Sequence, residues 1–392
     1  MMNNNESKKI GINGQCVFIY NIIFGENHNP SFVIYDNFKT NGIKIELTSK
    51  NIQVHLLNPY TPLIDVSNQV GYQYEIPQYW FSLDSQNRRL YGGIGEPRLE
   101  TATYKYIFQD VSYKKILESF VRIEYNSQIY PKKVLKDPIR RCIPLLVKDI
   151  DELTMEDIAN DKYIPKANLS LMGKKLYECI AGKKFKLNTP DFPDFSRAIE
   201  YSIKTPGCWC NTILKNKASE FNKEKPNIKE TYLRITLGEN NGESPGIPYV
   251  MEIWPIGHYS PIHSHADSEA IIRVLNGSIH IKMYPYLSEK MPSSFKNVDL
   301  IEGDITWISP LFNQIHQLEN LSTNKDTCIT IQCYMYNEKN KKHYDYFDYI
   351  DVNNEIQPYE PDSDMDFIDF KECMRTEWSK NTNLSNILYN FI

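Results

Sequence analysis

Hydrophobic and polar positions change their period twice along the chain. From residue 10 to about 145, short β-branched or aromatic runs such as VFIYNIIF, FVIYDNF, IKIELTS, YWFSLDS and FVRIEYN are separated by turn residues. That spacing predicts the strands of a sandwich or barrel. Residues 84–87 and the pair Gly92 and Gly93 read as hairpin punctuation. From about 146 to 225, apolar residues recur at three- and four-residue intervals in MEDIA, LSLMGKKLYECIAG and DFSRAIEYSIK. Gly182 and Gly207 stand where helix C-caps belong. From 226 to 350 the strand pattern returns in YLRITLG, YVMEIWP, EAIIRVLNG, IHIKMYP, DITWIS and CITIQCYMY. The predicted fold class is mainly β. An N-terminal β-sandwich-like domain spans 10–145, a helical connector 146–225 and a small antiparallel β-barrel domain 226–350. An acidic C-terminal tail, 351–392, ends in a short helix.

Composition narrows the classes of function. At 392 residues the chain exceeds one ordinary domain, and 41% hydrophobic with 12% aromatic residues can fill sizeable cores. A net charge of −5 argues against a nucleic-acid surface. No apolar run approaches the roughly 20 residues of a membrane span. The N-terminus, MMNNNESKK, lacks a signal-peptide apolar core, so the expectation is a cytoplasmic protein with neither membrane nor nucleic-acid partner. The 8 cysteines are scattered. Cys208 and Cys210 lie two apart without a second pair to complete a metal site, and are read as reduced thiols.

The histidines are clustered. Of 8 in the chain, His258, His263, His265, His280 and His316 fall between residues 258 and 316. Extended backbone projects positions i and i+2 to one side, so His263 and His265 can share one ion, with His316 as a third nitrogen. The alternative is three buried polar rings. His280 reads as a wall or surface residue, and His258 lies in the loop before the cluster.

The order Gly257, His263, His265, Glu269, Gly277, then Gly303, Asp304, Pro310, His316, Asn320 resembles the two motifs of the cupin superfamily, across about 130 residues. Within it, the chain is most similar to cysteine dioxygenase and related thiol dioxygenases. YLRITL carries that family's Tyr-x-Arg strand, Trp254 its tryptophan before the first histidine, and HSHADSEAIIRVLNG its His-x-His stretch. GDITWISPLFNQIHQLEN resembles the segment with the third ligand, and TIQCYMY the strand with an active-site tyrosine. The resemblance implies a jelly-roll cupin barrel in which Fe(2+) is bound by His263, His265 and His316, with a small thiol and O2 as substrates. Arg234 would bind the substrate carboxylate, supported by Tyr232 and Tyr334. Read without the family, Arg234 is equally a strand-surface cation and Tyr334 a core aromatic.

Three departures stand out. Ala270 occupies the position of the cysteine that crosslinks to tyrosine in animal enzymes. Gln332 replaces the histidine of the Ser-His-Tyr relay, with Thr330 at the serine position. Glu269 stands at the spacing of a fourth ligand found in other metal cupins. The alternatives to thiol oxidation are therefore a metal cupin enzyme using Glu269, or a non-catalytic binding module. The N-terminal domain is expected to bind a protein or a carbohydrate.

Overall fold

The computed structural model describes residues 6–24, 29–64, 72–238, 249–336 and 347–389. The chain is mainly β and divides into two compact units, residues 1–143 and 144–392.

The first unit packs a six-stranded antiparallel sheet on a five-stranded one. Phe18, Tyr20 and Phe81 of the smaller sheet meet Phe32 of the larger, with ring centroids 5.1–5.6 Å apart. Residues 85–88 turn the hairpin between Tyr79–Asp84 and Arg89–Ile94, one residue later than the pattern suggests. Gly92 and Gly93 do not mark a turn. They lie inside Arg89–Ile94, at a register shift against Ala102–Ile107. A Cβ on Gly93 would stand 2.2 Å from the Thr101 carbonyl oxygen and 2.6 Å from the Trp80 ring. Close approach of neighbouring chain, not a turn, requires glycine there.

The second unit is built on an eight-stranded sheet. Its order is Tyr163–Pro165, Leu146–Lys148, Ile305–Ile308, Glu269–Asn276, Cys328–Met335, Tyr249–Trp254, Leu233–Gly238 and Met365–Asp366. A three-stranded sheet, Lys296–Ile301, Ser278–Met283 and His316–Glu319, covers its inner face. Trp254, Val274 and Cys328 pack there against Ile279, Ile281, Met283 and Leu300. The two sheets form an open, jelly-roll-like pair. They do not close into a continuous barrel: among the described residues, isolated bridges of His263 with His316 and Tyr259 with Glu319 join the segment before Glu269–Asn276 to the strand His316–Glu319.

Strand parity sorts the large sheet. Ile272, Thr330, Gln332, Tyr334, Arg234 and Glu252 line the cavity between the sheets, so their odd-numbered neighbours face outward. On that outer face lies the helix Leu171–Ile180. Ser170 caps its N-terminus, accepting the Gly173 N–H at 2.8 Å. Arg273 donates to the Ile180 and Gly182 carbonyl oxygens at its C-terminus, both at 2.9 Å.

Residues 146–225 also contain strands, since Leu146–Lys148 and Tyr163–Pro165 extend the large sheet. A further helix, Trp209–Asn216, follows Gly207, whose φ is +87°. The acidic segment after 351 joins the fold. Asp364 accepts the Arg234 backbone N–H at 2.7 Å and lies 3.2 Å from the Lys217 ammonium. Met365–Asp366 then pairs with Leu233–Gly238. The final helix, Phe367–Tyr389, has 23 residues and is longer than the pattern predicts. It is anchored by buried Phe370 and Met374, with Phe370 against Trp209 and Phe195. Among the described residues no helix is long and apolar enough to cross a membrane.

Candidate metal centre

His263 and His265 lie on irregular backbone just before the strand Glu269–Asn276, and His316 opens the strand His316–Glu319. Reciprocal backbone hydrogen bonds lock His263 to His316, N–H to O at 3.0 and 3.1 Å. Left-handed backbone at Ala266 (φ 48°) and Asp267 (φ 60°) then turns the chain into the strand. One donor atom from each of the three rings lies within 4.8 Å of the others.

The tautomers follow from the partners. Nδ1 of His263 meets the Pro261 carbonyl at 3.1 Å, and Nδ1 of His316 the Asn313 carbonyl at 3.3 Å. A carbonyl only accepts, so both Nδ1 atoms carry the proton and both Nε2 atoms present lone pairs. Nε2 of His265 lies 3.1 Å from Nε2 of His316. Two nitrogens bound about 2.1 Å from one ion, at angles of about 90–110°, stand roughly 3.0–3.4 Å apart. The His265–His316 spacing matches two nitrogens on one divalent ion, and the three rings together form a group that could hold one. Burial pulls all three imidazoles toward the neutral form, with the nearby Arg234 charge adding to the effect on His263 and His265. His263 falls to about 4, His316 to about 3 and His265 well below its ordinary value. Neutral imidazole is the form that binds metal.

Glu269 is not part of this cluster. Its position faces the outer side of the sheet, and its carboxylate accepts from Ser170 at the N-terminus of Leu171–Ile180. Four residues on, Arg273 sits at that helix's C-terminus. The pair places an acid at the positive end of the helix and a base at the negative end, a structural role in place of the fourth-ligand role that the alternative reading gives Glu269. His280 also faces outward, 2.7 Å from Asp299. His258 is buried against the Thr231 carbonyl, Nδ1 to O at 2.9 Å, and does not line the cavity. Cys208 and Cys210 begin the helix Trp209–Asn216, with Cys210 buried against Met374.

Arg234, Tyr232 and Tyr334 all line the cavity that holds the histidines, whose free volume is about 50 Å³. A water needs roughly 10–15 Å³ on this measure, so the space admits a ligand of only a few heavy atoms. Tyr232 stacks on Trp254 with centroids 4.1 Å apart, and Tyr334 lies nearly parallel to His265 at 5.7 Å. The Trp254 indole N–H is buried with no acceptor among the described residues, which leaves one donor for a bound group.

Sequence reasoning missed Glu252. It is 4% exposed, directly opposite Arg234 in the antiparallel ladder, and lines the same cavity. Its carboxylate accepts from Gln332 Nε2, which lies 3.2 Å from Thr330 Oγ1, while the Tyr334 hydroxyl donates to Gln332 Oε1. Gln332 therefore accepts from Tyr334; its donors are already engaged. Burial pushes the Glu252 carboxyl up, opposed by the Arg234 charge and the Gln332 bond. Burial is the largest effect and lowers the Arg234 guanidinium, but Glu252 together with Tyr334, Tyr232 and Tyr359 raises the group. One signal was present in the sequence: an acid at the centre of the otherwise apolar strand YVMEIW. Tyr359, beyond the predicted barrel, also lines the cavity and donates to Glu220 at 2.9 Å.

No family profile matches the chain. Among solved structures, a cupin superfamily protein from Desulfitobacterium hafniense is similar at 12% identity, over 27% of this chain and 79% of that one, with a TM-score of 0.20. The DMSP lyase DddQ of Ruegeria pomeroyi matches at 17% identity, over 28% and 49%, with a TM-score of 0.21. The ribosomal oxygenase YcfD of Escherichia coli matches at 13% identity, over 24% of each chain, with a TM-score of 0.21. These are partial likenesses of fold, and no activity is carried over from them. The fold and site define a mainly β protein whose second unit carries a buried three-histidine group able to hold a metal ion.

Proposed function

We propose that this protein is a non-haem iron thiol dioxygenase that oxidises cysteine or a similar small thiol to a sulfinic acid. The observation that carries the reading is the convergence of three neutral imidazole donors, buried Arg234 and Tyr334 on one cavity of about 50 Å³. His263, His265 and His316 would hold Fe(II), which when bound supplies the dioxygen chemistry and a binding position for the thiolate.

The overall reaction balances without a co-reductant. R–SH and O2 give R–SO2H, so both oxygen atoms end on sulfur and the four electrons lost by sulfur reduce the dioxygen. The chain's own residues prepare the site. Ile279, Ile281, Met283 and Leu300 exclude bulk water from one side. Arg234 presents a guanidinium, and Glu252 a carboxyl group, to the polar end of the substrate. Tyr334 keeps its proton, because burial and the Glu252 charge push the phenol well above its ordinary range, and its bond to Gln332 fixes the hydroxyl.

The test is oxygen uptake by the iron-loaded, full-length protein with cysteine and cysteamine, together with chromatographic detection of sulfinate. Iron-dependent uptake with sulfinate formation is expected. A protein that holds iron in the three-histidine site and consumes no oxygen with any small thiol is a binding module instead.

A further inference from the structure

We propose that Glu252 sets the charge selectivity of the cavity, favouring a small thiol that carries an amine over one that carries a carboxylate. This inference rests on the thiol-oxidising reading above.

Arg234 and Glu252 are direct cross-strand partners, 3% and 4% exposed, and both line the cavity. Side chains so opposed start from Cβ atoms about 4.5–5.5 Å apart. A guanidinium alone in a dry cavity would draw its counter-charge from the ligand. Here the chain supplies that counter-charge itself. A substrate carboxylate would be the second anion around one guanidinium, and it would meet repulsion from Glu252 at short range. An amine meets a carboxylate that retains acceptor capacity, because the one side-chain bond shown to it comes from Gln332.

Arg234 and Glu252 are the two formally charged residues of the wall, beside neutral imidazoles and protonated phenols.

Gln332 supports the assignment independently. It stands where the resembled family has a histidine. Beside a buried carboxylate, a histidine would be drawn toward imidazolium, which would cancel the Glu252 charge and compete with the Tyr334 proton. An amide donates to Glu252 and accepts from Tyr334 while staying neutral at every pH.

The experiment uses two thiols of similar size, cysteamine and mercaptoacetate, with the full-length, iron-loaded protein. Dissociation constants are measured anaerobically by titration calorimetry, and kcat/KM is measured in air. The wild type is expected to favour cysteamine by both measures. Glu252→Gln should shift the ratio toward mercaptoacetate by roughly tenfold or more, the scale of removing one buried like charge. Glu252→Asp, which keeps the charge, should retain the wild-type direction of preference and guards against a folding defect in the glutamine variant. A ratio unmoved in folded Glu252→Gln, or a wild type that favours mercaptoacetate, overturns the role of Glu252 while leaving thiol oxidation intact. If the wild type neither binds nor oxidises either thiol, the thiol reading falls and this inference with it.

Discussion

Arg234 and Glu252 face each other across one antiparallel ladder, each buried on the wall of the cavity that holds the three histidines. Breaking such a pair differs from replacing it. Arg234→Met leaves a buried carboxylate without its counter-charge and should destabilise the second unit by about 3–5 kcal/mol. The double variant Arg234→Met with Glu252→Met should recover most of that loss. Urea unfolding of both variants measures the difference, and additive losses would show that the charges do not act as a pair.

Metal retention should depend on all three imidazoles. His263→Ala and His316→Ala should each lose most of the iron that the wild type holds, as read by elemental analysis of the dialysed protein. Glu269→Gln should keep it, because its carboxylate serves the helix Leu171–Ile180. Iron loss in Glu269→Gln equal to that in His263→Ala would restore the fourth-ligand assignment.

Acid should weaken the metal-free fold. His263 and His316 are held near 4 and 3 when folded, against 6.5 when unexposed to these effects. Between those values the unfolded chain binds protons that the folded chain refuses, so stability rises with pH across the window. It is full above about 6.5 and falls as pH drops toward about 4. Urea midpoints across this range should decline in the wild type and decline less in His316→Gln. A flat wild-type profile would contradict the burial of neutral imidazoles.

Tyr334→Phe removes the hydroxyl that donates to Gln332. It should lower kcat by on the order of a hundredfold with iron content unchanged. Equal activity in the phenylalanine variant would make Tyr334 a packing residue.

The second unit should fold when the chain is truncated to residues 144–392. Starting at 150 instead removes Leu146–Lys148, whose Leu146 pairs with Thr306, and the Leu145 carbonyl that accepts from Thr306 Oγ1 at 2.7 Å. The shorter form should melt at a lower temperature, as calorimetry would show. Equal melting of the two forms would make that edge strand dispensable.

Much of this fold was legible from period alone. The strands around Phe18, Arg234 and Tyr334 follow from runs of β-branched and aromatic residues, and the helices Met155–Ala159 and Leu171–Ile180 from three- and four-residue apolar spacing. The three histidines could be grouped because motif spacing carries the geometry. Other features depend on partners distant in sequence. Gly93 resembles a turn residue until Trp80 and Thr101 are placed against it. Glu269 resembles a ligand until parity turns it toward Ser170. The tail resembles solvated acid until Asp364 accepts the Arg234 N–H. Glu252 was hidden for the same reason, since one acid in a strand acquires meaning only from the cation opposite.

The most direct test of thiol oxidation is the fate of dioxygen labelled in both atoms with the heavy isotope. Iron-loaded wild-type protein is mixed with cysteamine or cysteine under the labelled gas, and the product is read by mass spectrometry. Sulfinate carrying both labelled atoms is the predicted result. Sulfinate with one or no labelled atom, or no sulfinate from a protein whose three histidines hold iron, would contradict it.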